Sequence, residues 1–340
     1  MRALVTGGAG FIGAWLVRCL HEQGAEVRVL ERPGADPRAI EGLPVEWVEG
    51  DVRDRDAVRR ALADRDHLFH LAGNPNLWTY PRTEFESVNH QGTRRVLDEA
   101  ARRPLARIVF TSTESILVGR RPGGPIDENA APELEDMVGP YCRSKLLAER
   151  AAFAAAREGQ PVVIVNPTLP VGPGDRNRTP PGRMIEAFLA GRIRGYVEAT
   201  LNFVDVRDVA EGHVLACLRG SPGRRVILGG EDLALSAFFA LLSAESGIPA
   251  PAYRVPYAVA LAYAFCAERV ADWITHRPPL ASVTGLRLAR RGMRFDCARA
   301  REELGFAPRP VRESIRDAVR WYRERAGAGT NSARGALACP

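Results

Sequence analysis

Residues 2–13 read Arg-Ala-Leu-Val-Thr-Gly-Gly-Ala-Gly-Phe-Ile-Gly, an apolar strand that runs directly into a glycine-rich turn and then into a helical pattern. Few folds accept that order. Glycines spaced as Gly7, Gly10 and Gly13 permit a tight turn, a close approach of backbone to a pyrophosphate, and close packing of helix on strand. A phosphate then meets the free N–H groups and positive dipole end of the helix. A bare glycine motif is weak, but here a strand precedes it, a helix follows it, and the acid Glu31 ends the second strand. Gly7, Gly10, Phe11, Ile12 and Gly13 are therefore expected to hold a dinucleotide.

The same alternation continues through the first half of the chain. Strands are expected at Arg2–Thr6, Glu26–Leu30, Glu46–Glu49, Leu68–Ala72, Arg107–Ser112 and Pro161–Val165, with helices at Ile12–Gln23, Phe85–Ala101 and Tyr141–Arg157. Short apolar strands separated by helices predict a parallel sheet covered on both faces. Right-handed crossovers make it doubly wound. The expected fold class is α/β: a doubly wound parallel Rossmann sheet with a smaller C-terminal substrate lobe. Its parts are a cofactor domain over 1–168, with 202–230 threading back onto it, and a mainly substrate-binding lobe over 169–325. A disordered tail is expected over 326–340, where the sequence becomes small and polar.

Other strand ends complete the expected cofactor site. Glu31 can accept hydrogen bonds from ribose hydroxyls, which favours NAD, whereas the adjacent Arg32 suits the 2′-phosphate of NADP. An acid at the strand end repels that phosphate, so NAD is favoured over NADP. Asp51 and Val52 follow the third strand, where they can bracket an adenine. Leu71, Ala72 and Gly73 follow the fourth and are small enough for backbone to pass the phosphates and ribose.

Lys145 is the only lysine among 340 residues; the other basic residues are all arginine. It lies four residues after Tyr141, hence on the same helix face. Lysine differs from arginine in being a compact charge whose pKa shifts when enclosed. A neighbouring ammonium, with the charge of an oxidised nicotinamide, would favour the phenolate of Tyr141 and make it an acid/base near neutral pH. Lys145 is also placed to hydrogen-bond the nicotinamide ribose. Thr113, at the end of the strand that points to this site, is the preferred group to hold a substrate oxygen, with Ser112 and Ser115 as alternatives. The bland alternative, an exposed helix pair, does not explain the fingerprint upstream.

Composition narrows the classes further. The hydrophobic fraction is 46% and the charged fraction 26%, as in ordinary globular proteins. The six cysteines are scattered without zinc spacing, so no metal is expected and free thiols in the cytoplasm are. The formal charge of +6 comes from arginines interleaved with acids, which argues against nucleic acid. The chain opens on a strand pattern, which reads as having no signal peptide. The longest apolar run, Val255–Ala267, is shorter than the roughly 20 residues that span a bilayer. It is read as a buried helix in preference to a lid helix touching lipid. Arg287, Arg290, Arg291 and Arg294 form a denser basic patch, read as a solvated face in preference to a site for an anionic substrate or lipid headgroup.

These motifs resemble the extended short-chain dehydrogenase/reductases, the NAD-dependent epimerase/dehydratase family. The resemblance covers roughly residues 1–325. It is carried by Thr6–Gly13, Gly50–Val52, His70–Gly73, Asn89–Thr93, Tyr141-x-x-x-Lys145, Val171–Pro173, Asn202–Ala210 and Arg301–Phe306. It implies a proton-relay role for Asn89 and hydride transfer at the nicotinamide face opposite a wall at Pro167. It also implies a homodimer through Phe85–Ala101 and Tyr141–Arg157. Ile164–Pro173, Ala210–His213 and Ile227–Glu231 look closest to the hopanoid-associated sugar epimerase branch, itself similar to dihydroflavonol reductases and 3β-hydroxysteroid dehydrogenases.

The substrate reading departs from the name of that branch. Nucleotide-sugar members place an asparagine and an arginine against a diphosphate, and the matching positions here are Leu169 and Leu201. A diphosphate against two leucines loses its compensation for desolvation, at a cost of several kcal/mol. Arg176, Arg178 or Arg183 could substitute, while Trp78, Tyr80 and the aromatic segment Tyr253–Phe265 could line an apolar pocket. Three readings follow: an NAD(P)-dependent dehydrogenase or ketoreductase for a hydrophobic, sterol- or hopanoid-like alcohol or ketone; a nucleotide-sugar epimerase or dehydratase with tightly held NAD; and a non-catalytic dinucleotide sensor. The intact Thr113, Tyr141 and Lys145 favour an enzyme. A small hydrophobic molecule is the expected partner, with no transmembrane segment and a peripheral membrane contact left open.

Overall fold

The computed structural model describes residues 1–119 and 124–335, the side chains of 327–335 excepted. Twelve strands are described: β1 Arg2–Thr6, β2 Glu26–Glu31, β3 Val45–Glu49, β4 His67–His70, β5 Arg107–Thr111, β6 Val162–Pro167, β7 Leu169–Val171, β8 Gly195–Tyr196, β9 Thr200–Asp205, β10 Arg225–Leu228, β11 Glu231–Ala234 and β12 Tyr253–Arg254. The α-helices are α1 Phe11–Glu22, α2 Arg55–Ala61, α3 Thr93–Ala100, α4 Gly139–Arg157, α5 Pro180–Leu189, α6 Val206–Arg219, α7 Leu235–Ser246, α8 Tyr257–Val270, α9 Val283–Arg291 and α10 Val311–Gly335.

Seven strands form one parallel sheet in the order β10-β6-β5-β4-β1-β2-β3. Its inner strands are buried along almost their whole length, and β6 is buried throughout. That is why they read as continuous apolar runs rather than as alternation. One face packs on α1 and α6 through Leu16, Val17, Val209 and Val214, and the other on α2, α3 and α4 through Val58, Val96 and Ala152. Strand order reverses between β1 and β4, so their carboxyl ends open a crevice, the place where ligands bind in such sheets.

The remaining strands and helices build the second body. β7, β9 and β11 make a small mixed sheet, and β8 pairs with β12. Phe203 and Phe238 stack at 4.3 Å in its core, which also takes in Phe85 and Tyr141 from the sheet side. Ion pairs tie the end of the chain back: Arg309 reaches Asp208 (2.7 Å), and Arg207 bridges Asp205 (2.7 Å) and Asp317 (2.9 Å).

Several expectations change. The segment Phe85–Ala101 is not one α-helix, because Phe85–Gly92 is π-helical and α3 begins at Thr93. The tail does not begin at 326, because α10 continues to Gly335; once a helix is nucleated, each added residue costs only its propensity. Residues 336–340 lie outside the described residues. The apolar run expected to be buried core is largely exposed: in α8 only Ala264 and Glu268 are buried. The helix leans on α9 through that side, and Val259, Tyr263, Phe265 and Val270 stay exposed. The short, charged α2 was not read from the sequence at all.

Candidate active site

The crevice is built from turns that tolerate no side chain. Gly7 has φ +76°, and a Cβ there would sit 2.8 Å from the backbone nitrogen of Ala72, so the two loops touch across the switch point. A Cβ on Gly13 would lie far inside contact with the Gly7 carbonyl oxygen and 2.8 Å from the Gly8 Cα. Gly10 caps α1, and no side chain bonds the first-turn N–H groups. Those donors point at the crevice, where a phosphate fits them.

Glu31 ends β2 buried and accepts the Ala9 N–H at 2.6 Å. Burial raises its pKa, and the Ala9 bond opposes that rise. Glu31 thus orders the glycine loop itself, a task not read from the sequence. Arg32 is exposed and stands 3.9 Å from Glu84. Asp51 is held by Arg53 (2.6 Å), which lowers its pKa, and Val52 is buried where Gly92 leaves it room. Two buried hydroxyls near the ends of β5 and β6, Ser112 and Thr168, have no partner among the described residues. With the bare helix end and the loop contacts, the residues present fit a dinucleotide. The glycine loop would hold its pyrophosphate, Asp51 and Val52 would flank its base, and Pro167, buried at the end of β6, would wall the nicotinamide.

Tyr141 and Lys145 occupy successive turns of α4. Tyr141 is 6% exposed, edge-on to Phe85 (5.9 Å) and hydrogen-bonded with Thr113. Lys145 is buried, donates from Nζ to the Thr111 carbonyl at 2.7 Å, and lies over the Phe110 ring. Burial lowers the Lys145 pKa to about 8, with Glu149 one turn on pulling it upward. The expected lowering of Tyr141 is not what dominates in the folded chain. Burial raises it, Glu114 adds to the rise, and only the Thr113 bond opposes them. The physical reason is that the ammonium spends its short bond on Thr111 rather than on the phenol.

Thr113 is held from both sides. Asn166 donates to its carbonyl (3.0 Å) and to Glu149 (2.8 Å), which in turn pairs with Arg225 (2.7 Å). The Thr113 hydroxyl donates to Glu114 Oε2 (2.8 Å), and the Ser115 hydroxyl donates to Oε1 (3.1 Å). Glu114 is buried and its pKa is raised by desolvation. The sequence reading passed over it, and an acid between two candidate hydroxyls was the available signal.

Asn89 lies within the π-helical segment, a distortion common at functional sites. Its Oδ1 accepts the Asn74 N–H (2.7 Å) and its amide donates to the Ser144 hydroxyl (3.1 Å). Behind it, Thr93 donates to the Asn89 carbonyl (2.6 Å), and His70 bridges Thr93 (3.0 Å) to Thr6 (2.7 Å). Burial lowers the His70 pKa to about 3, so it stays neutral.

Two outcomes test this arrangement. Lysine in the unfolded chain titrates at 10.5 and Lys145 at about 8, so between these values the unfolded chain holds more protons. Lys145 therefore makes stability rise with pH from about 8 toward 10.5. Four cysteines whose pKa burial raises (Cys19, Cys142, Cys217 and Cys297) act in the opposite sense above pH 9, so the check is a difference. Denaturant titrations at pH 8 and pH 10 should show the native chain gaining stability relative to Lys145→Met, and parallel curves would remove the buried ammonium from the account. Glu114→Gln presents an amide donor to one of two donating hydroxyls. Leaving one of them unpaired costs about 1–3 kcal/mol of stability, so the variant should melt several degrees lower, and kcat should fall as Thr113 loses its hold while cofactor affinity stays level.

A model of the NAD dependent epimerase/dehydratase family matches residues 3–229. The chain belongs to that family. Within the family it is 35% identical over 326 residues to sterol demethylase protein B of Methylococcus capsulatus, covering 96% of this chain and 99% of that one. It is 31% identical over 330 residues to the 4-hydroxy-2-methyl-3-oxo-4-farnesyl-3,4-dihydroquinoline-1-oxide ketoreductase of Stigmatella aurantiaca, covering 94% and 96%. Among solved structures, that of gox2253 superposes with a TM-score of 0.85 at 36% identity, covering 95% and 98%. Family membership makes the chain an NAD-dependent enzyme of the oxidoreductase and epimerase type. Among the described residues, no helix is long and apolar enough to cross a membrane.

Proposed function

We propose that this chain is an NAD(P)-dependent dehydrogenase or ketoreductase for a secondary alcohol or ketone on a hydrophobic, sterol- or hopanoid-like substrate, with NAD favoured over NADP. When bound, the nicotinamide supplies the hydride acceptor or donor. The protein supplies the rest: Tyr141 exchanges the proton of the substrate oxygen, Thr113 holds that oxygen, and Asn89 is the group assigned to the proton relay beyond them. Lys145 sets the local charge. Glu31, the glycine loop and Leu71–Gly73 position the cofactor.

The observation that carries the substrate class is the fate of two leucines. Leu201 is buried, and Leu169 packs against the same apolar cluster. Two of the three arginines that might replace their phosphate-binding counterparts have other partners: Arg178 pairs with Glu186 (2.8 Å), and Arg183 donates to Asn76 (2.8 Å). The names of the two relatives, one a sterol protein and one a ketoreductase for a farnesylated ring, agree with an apolar substrate.

The test is to denature freshly purified protein and count released nucleotide, then to offer sterol-like and hopanoid-like alcohols and ketones. Little retained nucleotide, reversible binding of added NAD, and turnover of the apolar ketones are expected. About one NAD per chain that does not exchange, with turnover of a nucleotide sugar, would replace this reading by the epimerase one.

A further inference from the structure

Large apolar side chains are rarely left in water in a row, yet this chain does so in one place. Val259, Tyr263, Val270, Trp273, Ile274 and Leu280 are all exposed, Trp273 at 75% and Ile274 at 73%. The helical members recur every three, four or seven residues, so they form one stripe along α8 and the turn after it, about 20 Å long at 1.5 Å per residue. The opposite side of the same arm is fastened. Trp78 donates to Asp272 (3.0 Å), and Arg82 reaches both Glu268 (3.1 Å) and Asp272 (3.2 Å). The stripe is thus a fixed feature presented outward.

Its charge is equally uneven. Residues 250–294 carry seven arginines and two acids, a balance of +5, of which Arg254 and Arg294 are met by Glu198 (3.3 Å) and Asp232 (3.6 Å) from outside the segment. Both acids are those already held by Arg82. Arg269 lies over Phe265 (5.4 Å) and Trp273 (5.8 Å), and Arg290 over Tyr257 (4.5 Å). Aromatic and aliphatic side chains ringed by guanidinium groups match the layer where acyl chains meet anionic headgroups. A second copy is a poorer occupant, because a two-fold contact would press two such basic faces together.

We propose that the α8 arm is a peripheral docking surface for an anionic phospholipid bilayer. The apolar stripe enters the headgroup boundary, and the surrounding arginines meet lipid phosphates. The loop that fastens the arm begins at Asn74, whose N–H is bonded to Asn89. Docking therefore sets the membrane one loop away from the candidate site, where an apolar substrate would arrive. The docking itself does not depend on the identity of that substrate.

The experiment is flotation of the full chain with phosphatidylcholine vesicles, with and without about one-third phosphatidylglycerol. Binding to the anionic vesicles, weakened by salt, is expected. It should fall about tenfold or more in Trp273→Ser/Ile274→Ser and also in Arg277→Gln/Arg290→Gln. All four positions are exposed, and an unchanged melting temperature and NAD affinity would show that the variants are folded. Failure of the native chain to float with anionic vesicles overturns the proposal, as does equal flotation of the serine variant. Concentration-dependent dimers that the serine variant abolishes, without flotation, would assign the face to a second copy instead. A ketoreductase that does not float, or a floating protein that turns over no ketone, separates this proposal from the proposed reaction.

Discussion

Tyr141→Phe is expected to lower kcat by about 10²- to 10⁴-fold, the usual contribution of a positioned acid/base. NAD affinity and melting temperature should barely move. The phenol is buried, but its ring contacts with Phe85 survive the substitution, and Thr113 keeps its bond to Glu114. The two readouts together discriminate. A protein that only senses the dinucleotide would keep its biological effect in this variant, with no turnover to lose. Loss of NAD binding along with turnover would mean that Tyr141 has a structural role larger than its geometry indicates. Single-turnover rates with saturating cofactor, beside a binding isotherm, decide the matter.

The second large effect is Gly13→Ala. The new methyl would be driven into the Gly7 carbonyl and the Gly8 Cα, all backbone and none able to swing aside. Overpacking of this kind costs about 1–3 kcal/mol. It should also displace the first turn of α1, where the phosphates would sit. The variant should melt several degrees lower and lose most of the thermal stabilisation that saturating NAD gives the native chain. Full retention of that stabilisation would mean that the pyrophosphate is held elsewhere.

Legibility followed how local each constraint was. Gly7, Gly10 and Gly13 could be read because their demands lie within one turn. Tyr141 and Lys145 could be read because four residues on a helix always make neighbours. Six of the seven strands of the large sheet could be read, the inner ones because burial on both faces leaves continuous apolar runs; the edge strand Arg225–Leu228 was not among them. Glu114 escaped because its meaning depends on Thr113, Ser115 and Tyr141 closing around it. The π-helical turn at Asn89 escaped because one extra residue per turn leaves no mark in composition. The α8 arm was misjudged for a related reason: Val259 and Ile274 look the same in sequence whether a neighbour covers them or not. Glu31 was expected in the cofactor site, but its bond to Ala9 was invisible because the loop folds back from 22 positions away.

The quiet histidines beside the site have a consequence for the enzyme's proton inventory. His70 is pushed to about 3 and His213, bonded to Thr111 at the end of β5, to about 4. Neither changes charge between pH 5 and 9. Neither of these two imidazoles therefore adds an inflection to a rate profile across that window, whereas Lys145, lowered to about 8 by burial, titrates inside it.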